Sequence, residues 1–221
     1  MERKLTAILS ADVKGYSRLM GEDEVGTLRT LTAHRKVMDT LLEQHKGRIV
    51  GTAGDSVLAD FPSIVEAVQC AIVIQTTLKA ENANLPPASR MEFRIGINLG
   101  DVMVEGEQIY GDGVNIAARL ESLADPGGIC ISGTVYEHIK NKLTLQYEDL
   151  GKQTVKNIAE PVWVLRVVMD IPSPLVGEAR SEQSREGQGE GASGRAATVT
   201  TPHPNPFDHA QDRLPPQGHR H

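Results

Sequence analysis

No stretch of this chain approaches the ~18 apolar residues that a membrane-spanning helix requires. The N-terminal Met1-Glu2-Arg3-Lys4 leads into a short, interrupted apolar run that ends at Asp12. That run lacks the length of a secretory leader. Cysteine is scarce: Cys70 and Cys130 lie far apart, outside any Cys-x-x-Cys spacing, and each is flanked by apolar residues. They read as buried thiols in a reducing compartment rather than as a disulfide framework. Polybasic runs are also missing, and the formal net charge is −6, which argues against a nucleic-acid partner. The expectation is a cytoplasmic protein without a membrane or nucleic-acid partner. Hydrophobic residues make up only 39%, low enough to predict that part of the chain does not pack.

Composition places that part at 171–221. Seven of the twelve prolines fall there, in Pro-Ser-Pro, His-Pro-Asn-Pro and Pro-Pro clusters around a Gly/Glu/Ser/Arg stretch over 177–194. Such a segment buries too little surface to offset its ordering entropy and reads as a disordered tail. Its histidines at 203, 209, 219 and 221 read as solvated rather than as metal ligands.

Residues 1–170 read as one domain of alternating strands and helices. Strands are expected at 5–11, 48–52, 56–61, 91–105, 129–132, 145–150 and 162–168. Helices are expected at 17–45, from Pro62 to Asn84, at 112–124 and at 134–142. In the first helix Leu28, Leu31, Val37, Met38, Leu41 and Leu42 recur at helical spacing. The order strand–helix–strand–strand–helix–strand over 5–105 predicts an α+β fold, a ferredoxin-like βαββαβ core, with a C-terminal strand–helix–strand extension. In that topology strands one and three are neighbours at the sheet centre.

This matters because of two aspartates. Asp12 ends the run Leu5-Thr6-Ala7-Ile8-Leu9-Ser10-Ala11, and Asp55 stands in Gly51-Thr52-Ala53-Gly54-Asp55-Ser56-Val57 between two β-like runs. Taken singly, Asp12 could cap a helix and Asp55 could be a turn residue. The topology brings both to one sheet edge, where two ionised carboxylates repel unless a cation lies between them. Divalent cations held there could bind a polyphosphate, and the loop Gly15-Tyr16-Ser17 offers backbone amides for its oxygens. A third element is Tyr110-Gly111-Asp112-Gly113-Val114-Asn115-Ile116-Ala117-Ala118-Arg119-Leu120-Glu121. Asn115 and Arg119, four apart, share a helix face, with Ile116, Leu120 and Leu123 expected as its buried stripe. A merely solvated polar face is the plainer alternative.

Four motifs in order carry a resemblance. Ala-Asp-Val-x-Gly-Tyr-Ser, Ala-Gly-Asp-Ser-Val-Leu-Ala-x-Phe, Arg-Ile-Gly-Ile-Asn-Leu-Gly-Asp-Val and Tyr-Gly-Asp-Gly-Val-Asn-Ile-Ala-Ala-Arg-Leu-Glu resemble the class III adenylate/guanylate cyclase catalytic domain, over about residues 4–168. The resemblance implies conversion of a purine nucleoside triphosphate, ATP or else GTP, to its 3′,5′-cyclic monophosphate and pyrophosphate. It implies Asp12, Asp55 and the Val13 carbonyl as ligands of two Mg²⁺ or Mn²⁺ ions. Asn115 would orient the ribose, Arg119 would stabilise the reacting phosphate and Lys156 would hold the terminal phosphates. The site would form between two chains of a homodimer, the aspartates from one and Asn115, Arg119 and Lys156 from the other. At the two positions where such cyclases commonly read the base, with Lys and Asp or Thr for adenine, this chain has Gly51 and Gln108. Gly51 cannot reach a base, and Gln108 can donate and accept to either purine. Strand alternation places Arg48, the remaining candidate reader, on the face opposite Gly51.

Overall fold

The computed structural model describes residues 2–154, 158 and 160–169. Lys156 and the tail expected over 171–221 lie outside the described residues.

The chain runs β1 (Glu2–Val13), α1 (Tyr16–Glu22), α2 (Glu24–Gln44), β2 (Arg48–Ala53), β3 (Ser56–Phe61), α3 (Ile64–Ala83) and β4 (Phe93–Glu105). It continues through β5 (Gln108–Tyr110), α4 (Asp112–Leu123), β6 (Ile129–Ser132), α5 (Gly133–Ile139), β7 (Tyr147–Gln153) and β8 (Val162–Val167). The sheet order is β2-β3-β1-β4-β6-β8-β7, with β5 added along β4. Its first four strands pair antiparallel with β1 and β3 adjacent, which is the expected ferredoxin-like arrangement. The extension joins through the parallel β4–β6 pair and closes on the β7–β8 hairpin.

Beyond shifted boundaries and the unexpected β5, two expected elements differ in ways that bear on the site. The first helix is two, because Asp23 leaves helical geometry (φ −153°) and its carboxylate accepts from the Gly26 amide at 2.9 Å, capping α2. Strand one also runs past Asp12 to Val13, paired to β4 throughout.

The sheet has two unlike faces. Toward one, Leu9, Ala11, Val57, Ile95 and Ile97 join Met38 and Leu42 of α2, Ile74 of α3 and Val135 of α5 in the main core. Each of the larger side chains among them contributes roughly 1.5–3 kcal/mol on burial. Cys70 and Cys130 are buried free thiols as expected, and burial pushes them up to about 12 and about 11. Leu28, expected in the apolar stripe of the first helix, is exposed instead.

Over the other face lies α4, close enough to β4 that only glycine fits between them. A Cβ on Gly96 would stand 2.1 Å from the Glu121 amide nitrogen and 2.2 Å from the Ala117 carbonyl oxygen. Asn98 Nδ2 donates to the Gly113 carbonyl at 3.1 Å and fixes the start of the helix. The helix therefore buries Gly113, Ala117, Leu120 and Glu121, while Leu123, expected in its buried stripe, is exposed. Among the described residues no helix is long and apolar enough to cross a membrane.

Candidate active site

Antiparallel pairing sets the end of β1 against the start of β3, with Ala11 opposite Val57 and Asp12 opposite Arg94 of β4. The turn carrying Asp55 is formed by Gly54 at φ +58°, a conformation glycine adopts without strain. Arg35 of α2 pins that turn, donating to the Gly54 carbonyl at 2.6 Å and the Ser56 carbonyl at 3.1 Å. Asp55 Oδ2 accepts from the Val13 amide at 3.2 Å, and Ser56 Oγ donates to Asp12 Oδ1 at 2.9 Å. Asp12, Val13 and Asp55 thus meet at one sheet edge.

The electrostatics there are unbalanced. Burial first, then the charge of Asp12 and a hydrogen bond with it, push Asp55 up to about 6. Close by, burial and the Asp12 charge push Glu121 up to about 8 against the pull of Arg94. Arg94 lies 3.2 Å from Asp12 and 2.9 Å from Glu121. Arg94 pairs with Asp12 and Glu121 and, among the described residues, leaves Asp55 beside Asp12 without a cation of its own, so the Asp12/Asp55 pair fits a divalent cation. Among the described residues no group of three or more His, Cys, Asp or Glu is arranged to hold a metal. Two carboxylates are enough for Mg²⁺, which takes its remaining ligands from water and phosphate.

A pH dependence follows with a definite sign. A carboxyl raised in the folded state holds its proton more tightly folded than unfolded. Asp55 therefore favours the metal-free fold below about pH 4, and that contribution is lost as pH rises through about 6. Mn²⁺ requires the ionised pair, so its stabilisation grows over the same window. Melting curves with Mn²⁺ and with chelator should differ little at about pH 4 and clearly at about pH 8. Equal differences at both would contradict the assignment.

The other expected residues lie as follows. Gly15, at φ +72°, is the N-cap residue of α1, so the amides of Tyr16 and Ser17 open a helix whose first N–H groups lack intrahelical acceptors. The Tyr16 ring packs on the core, leaving its backbone rather than its ring to face a ligand. Asn115 and Arg119 are half-buried. They lie on the side of α4 away from Gly113, Ala117 and Glu121, the residues resting on β4. A cavity of about 900 Å³ beside α4 is lined by Ile116, Tyr110, Asp101, Thr134 and Trp163 among others, but by neither aspartate, nor by Asn115 or Arg119.

At the base-reading positions, Gln108 is exposed and its Oε1 accepts from the Tyr110 hydroxyl. Gly51 faces Leu58, with open room for a side chain, since a Cβ there would meet nothing nearer than 3.8 Å. The alternation argument for Arg48 fails. The β2 register shifts between Ile49 and Gly51, so Arg48 and Gly51 pair with Asp60 and Leu58 and share a face. Arg48 is instead bound to buried Asp60, through Nε at 3.1 Å and Nη2 at 3.3 Å, with Lys4 as the second cation.

Sequence reasoning missed Ser56, Arg94 and Glu121 as parts of the site. All three lie inside the quoted motifs, but only the tertiary pairing reveals that Ser56 and Arg94 meet Asp12 and that Glu121 meets Arg94.

The matches to known proteins agree with this geometry. The adenylate and guanylate cyclase catalytic domain model matches residues 2–166. A Rhizobium meliloti protein named "Putative adenylate cyclase 3" is 45% identical over 165 residues, covering 74% of this chain and 28% of its own length. The chain spans only 28%, 22% and 35% of the first three curated relatives that it matches. Among solved structures, an adenylate/guanylate cyclase/hydrolase from Silicibacter pomeroyi is 42% identical, with a TM-score of 0.72, over 76% of this chain and 98% of that one. The adenylyl cyclase CyaB of P. aeruginosa is 27% identical with a TM-score of 0.65, over 76% and 95%. This chain belongs to the adenylate and guanylate cyclase catalytic domain family.

Proposed function

We propose that the chain is a nucleotidyl cyclase that converts ATP to 3′,5′-cyclic AMP and pyrophosphate in a homodimer with composite sites. The observation that carries this is the meeting of Asp12 and Asp55, hydrogen-bonded and short of positive charge, at one rigid sheet edge. Mg²⁺ or Mn²⁺ held by these carboxylates and the Val13 carbonyl would activate the attacking ribose oxygen and neutralise charge on the leaving pyrophosphate. The amides at Gly15–Ser17 would receive phosphate oxygens at the start of α1. Asn115 would hold the ribose, Arg119 would stabilise charge at the reacting phosphate and Lys156 would hold the terminal phosphates.

The composite arrangement is supported by the orientation of α4, whose Asn115/Arg119 side is turned away from the strand that carries the helix. ATP is the proposed substrate because the Rhizobium meliloti relative is named an adenylate cyclase.

Purified dimer incubated with ATP and, separately, GTP in Mn²⁺ should yield a cyclic nucleotide and pyrophosphate, with ATP preferred. Absence of cyclic product from either triphosphate, in folded dimeric protein, would overturn the proposal. A cyclase-like binding module without turnover is the second reading, favoured by the side-chain-free Gly51.

Base preference should be weak and improvable. Gly51 has ordinary backbone geometry and space for a side chain. Gly51→Lys with Gln108→Asp should fold and raise the ATP-over-GTP ratio in kcat/KM by about tenfold or more, because guanine would leave the introduced polar groups unpaired. An unchanged ratio would show that these positions do not read the base.

A further inference from the structure

Arg94 makes more contacts than a metal half-site needs. Its Nη2 reaches Asp12 Oδ2 at 3.2 Å and Glu121 Oε1 at 2.9 Å, while Nη1 donates to the Ser122 carbonyl at 3.4 Å. Asp12 belongs to β1, Arg94 to β4, and Glu121 and Ser122 to α4, so one guanidinium joins three elements. The side chains of Asp12, Arg94 and Glu121 are only 25%, 15% and 9% exposed, which limits solvent screening of the contacts. The junction also lies where α4 packs closely on the sheet, at Gly96. Asn98 holds the start of α4 at Gly113, and Arg94 holds its end at Glu121 and Ser122.

We infer that Arg94 and Glu121 are positioning residues that transmit cation binding at Asp12 and Asp55 to the α4 helix of the same chain. The inference rests on the proposed shared-site cyclase, in which a chain's aspartates and its α4 serve different sites of the dimer. The link therefore couples the two sites. With a cation bound, the Asp12 carboxylate would turn from Arg94 Nη2 toward it, and the guanidinium would keep Glu121 and Ser122 and hold α4 more tightly on β4. Coupling requires such a difference in contacts between the two states. It also requires the planar fork, because a lysine keeps the charge but cannot span both carboxyl groups and the carbonyl.

The test uses nucleotide-free mixed dimers of an isotope-labelled wild-type chain and an unlabelled Asp55→Ala chain. Bound Mn²⁺ is counted by electron paramagnetic resonance, and amide hydrogen exchange of residues 112–123 is followed by mass in each chain separately. Mn²⁺ should slow exchange about fivefold or more in the labelled chain only. Arg94→Lys or Glu121→Gln in that chain should abolish the slowing while Mn²⁺ binding and the melting midpoint persist. Mn²⁺ bound without slowing, slowing in both chains or in the unlabelled one, or slowing that survives both substitutions would overturn the link. If the wild-type chain binds no Mn²⁺, the cyclase reading falls and the link falls with it.

Discussion

Asp55→Asn should lower cyclase activity by about 10³-fold or more while leaving the protein folded and dimeric. Loss of several kcal/mol of metal-dependent transition-state stabilisation corresponds to that factor. The amide keeps the shape of the carboxylate, so the Arg35-pinned turn should survive. Stability should move the opposite way from activity. At neutral pH the wild-type fold holds Asp55 ionised beside Asp12, against a preference that places its proton loss at about 6. Removing that charge should stabilise the metal-free protein by about 1 kcal/mol, the raised pKa being discounted for partial exposure. A combined readout of activity and chelator-treated melting separates this from damage to the fold. Lost activity with a lowered melting temperature would contradict the assignment.

Arg119→Ala should be as severe for a different reason. An arginine that stabilises charge on a transferring phosphoryl group supplies about 10³–10⁵ in rate. Arg119 is carried by α4 rather than by the strands that hold the aspartates, so its loss should leave Mn²⁺ binding at Asp12 and Asp55 intact. Mn²⁺ titration of the nucleotide-free variant checks this. A wild-type Mn²⁺ affinity with kcat reduced by that factor is the expected pair of results. Retained kcat would remove Arg119 from the chemistry.

Most of the scaffold that positions these groups is legible in the residues. Alternation at Phe93, Ile95 and Ile97 marks the strand at the sheet centre, and the strand–helix order fixes β1 beside β3, which brings Asp12 toward Asp55. Register is harder to read, because pairings that depend on a single inserted residue leave no periodic trace. The β2 irregularity at Ile49/Gly51 turned Arg48 to the same face as Gly51 and onto Asp60, against the expected alternation. Register also hides the facing of Arg94 and Asp12, residues 82 positions apart. The break at Asp23 carries a local capping signal, but it lies inside a helical apolar pattern that continues on both sides. Leu28 and Leu123 follow helical spacing and are still exposed, since spacing gives a face and not what covers it.

The central claim is that each working site draws Asp12 and Asp55 from one chain and Asn115 and Arg119 from the other. Mixing Asp12→Ala chains with Arg119→Ala chains, each inactive alone, tests it most directly. Once subunits have exchanged, activity should return to about a quarter of wild type, because half of the dimers are mixed and each holds one intact site of two. If chains that demonstrably exchange remain inactive, the shared-site account is wrong.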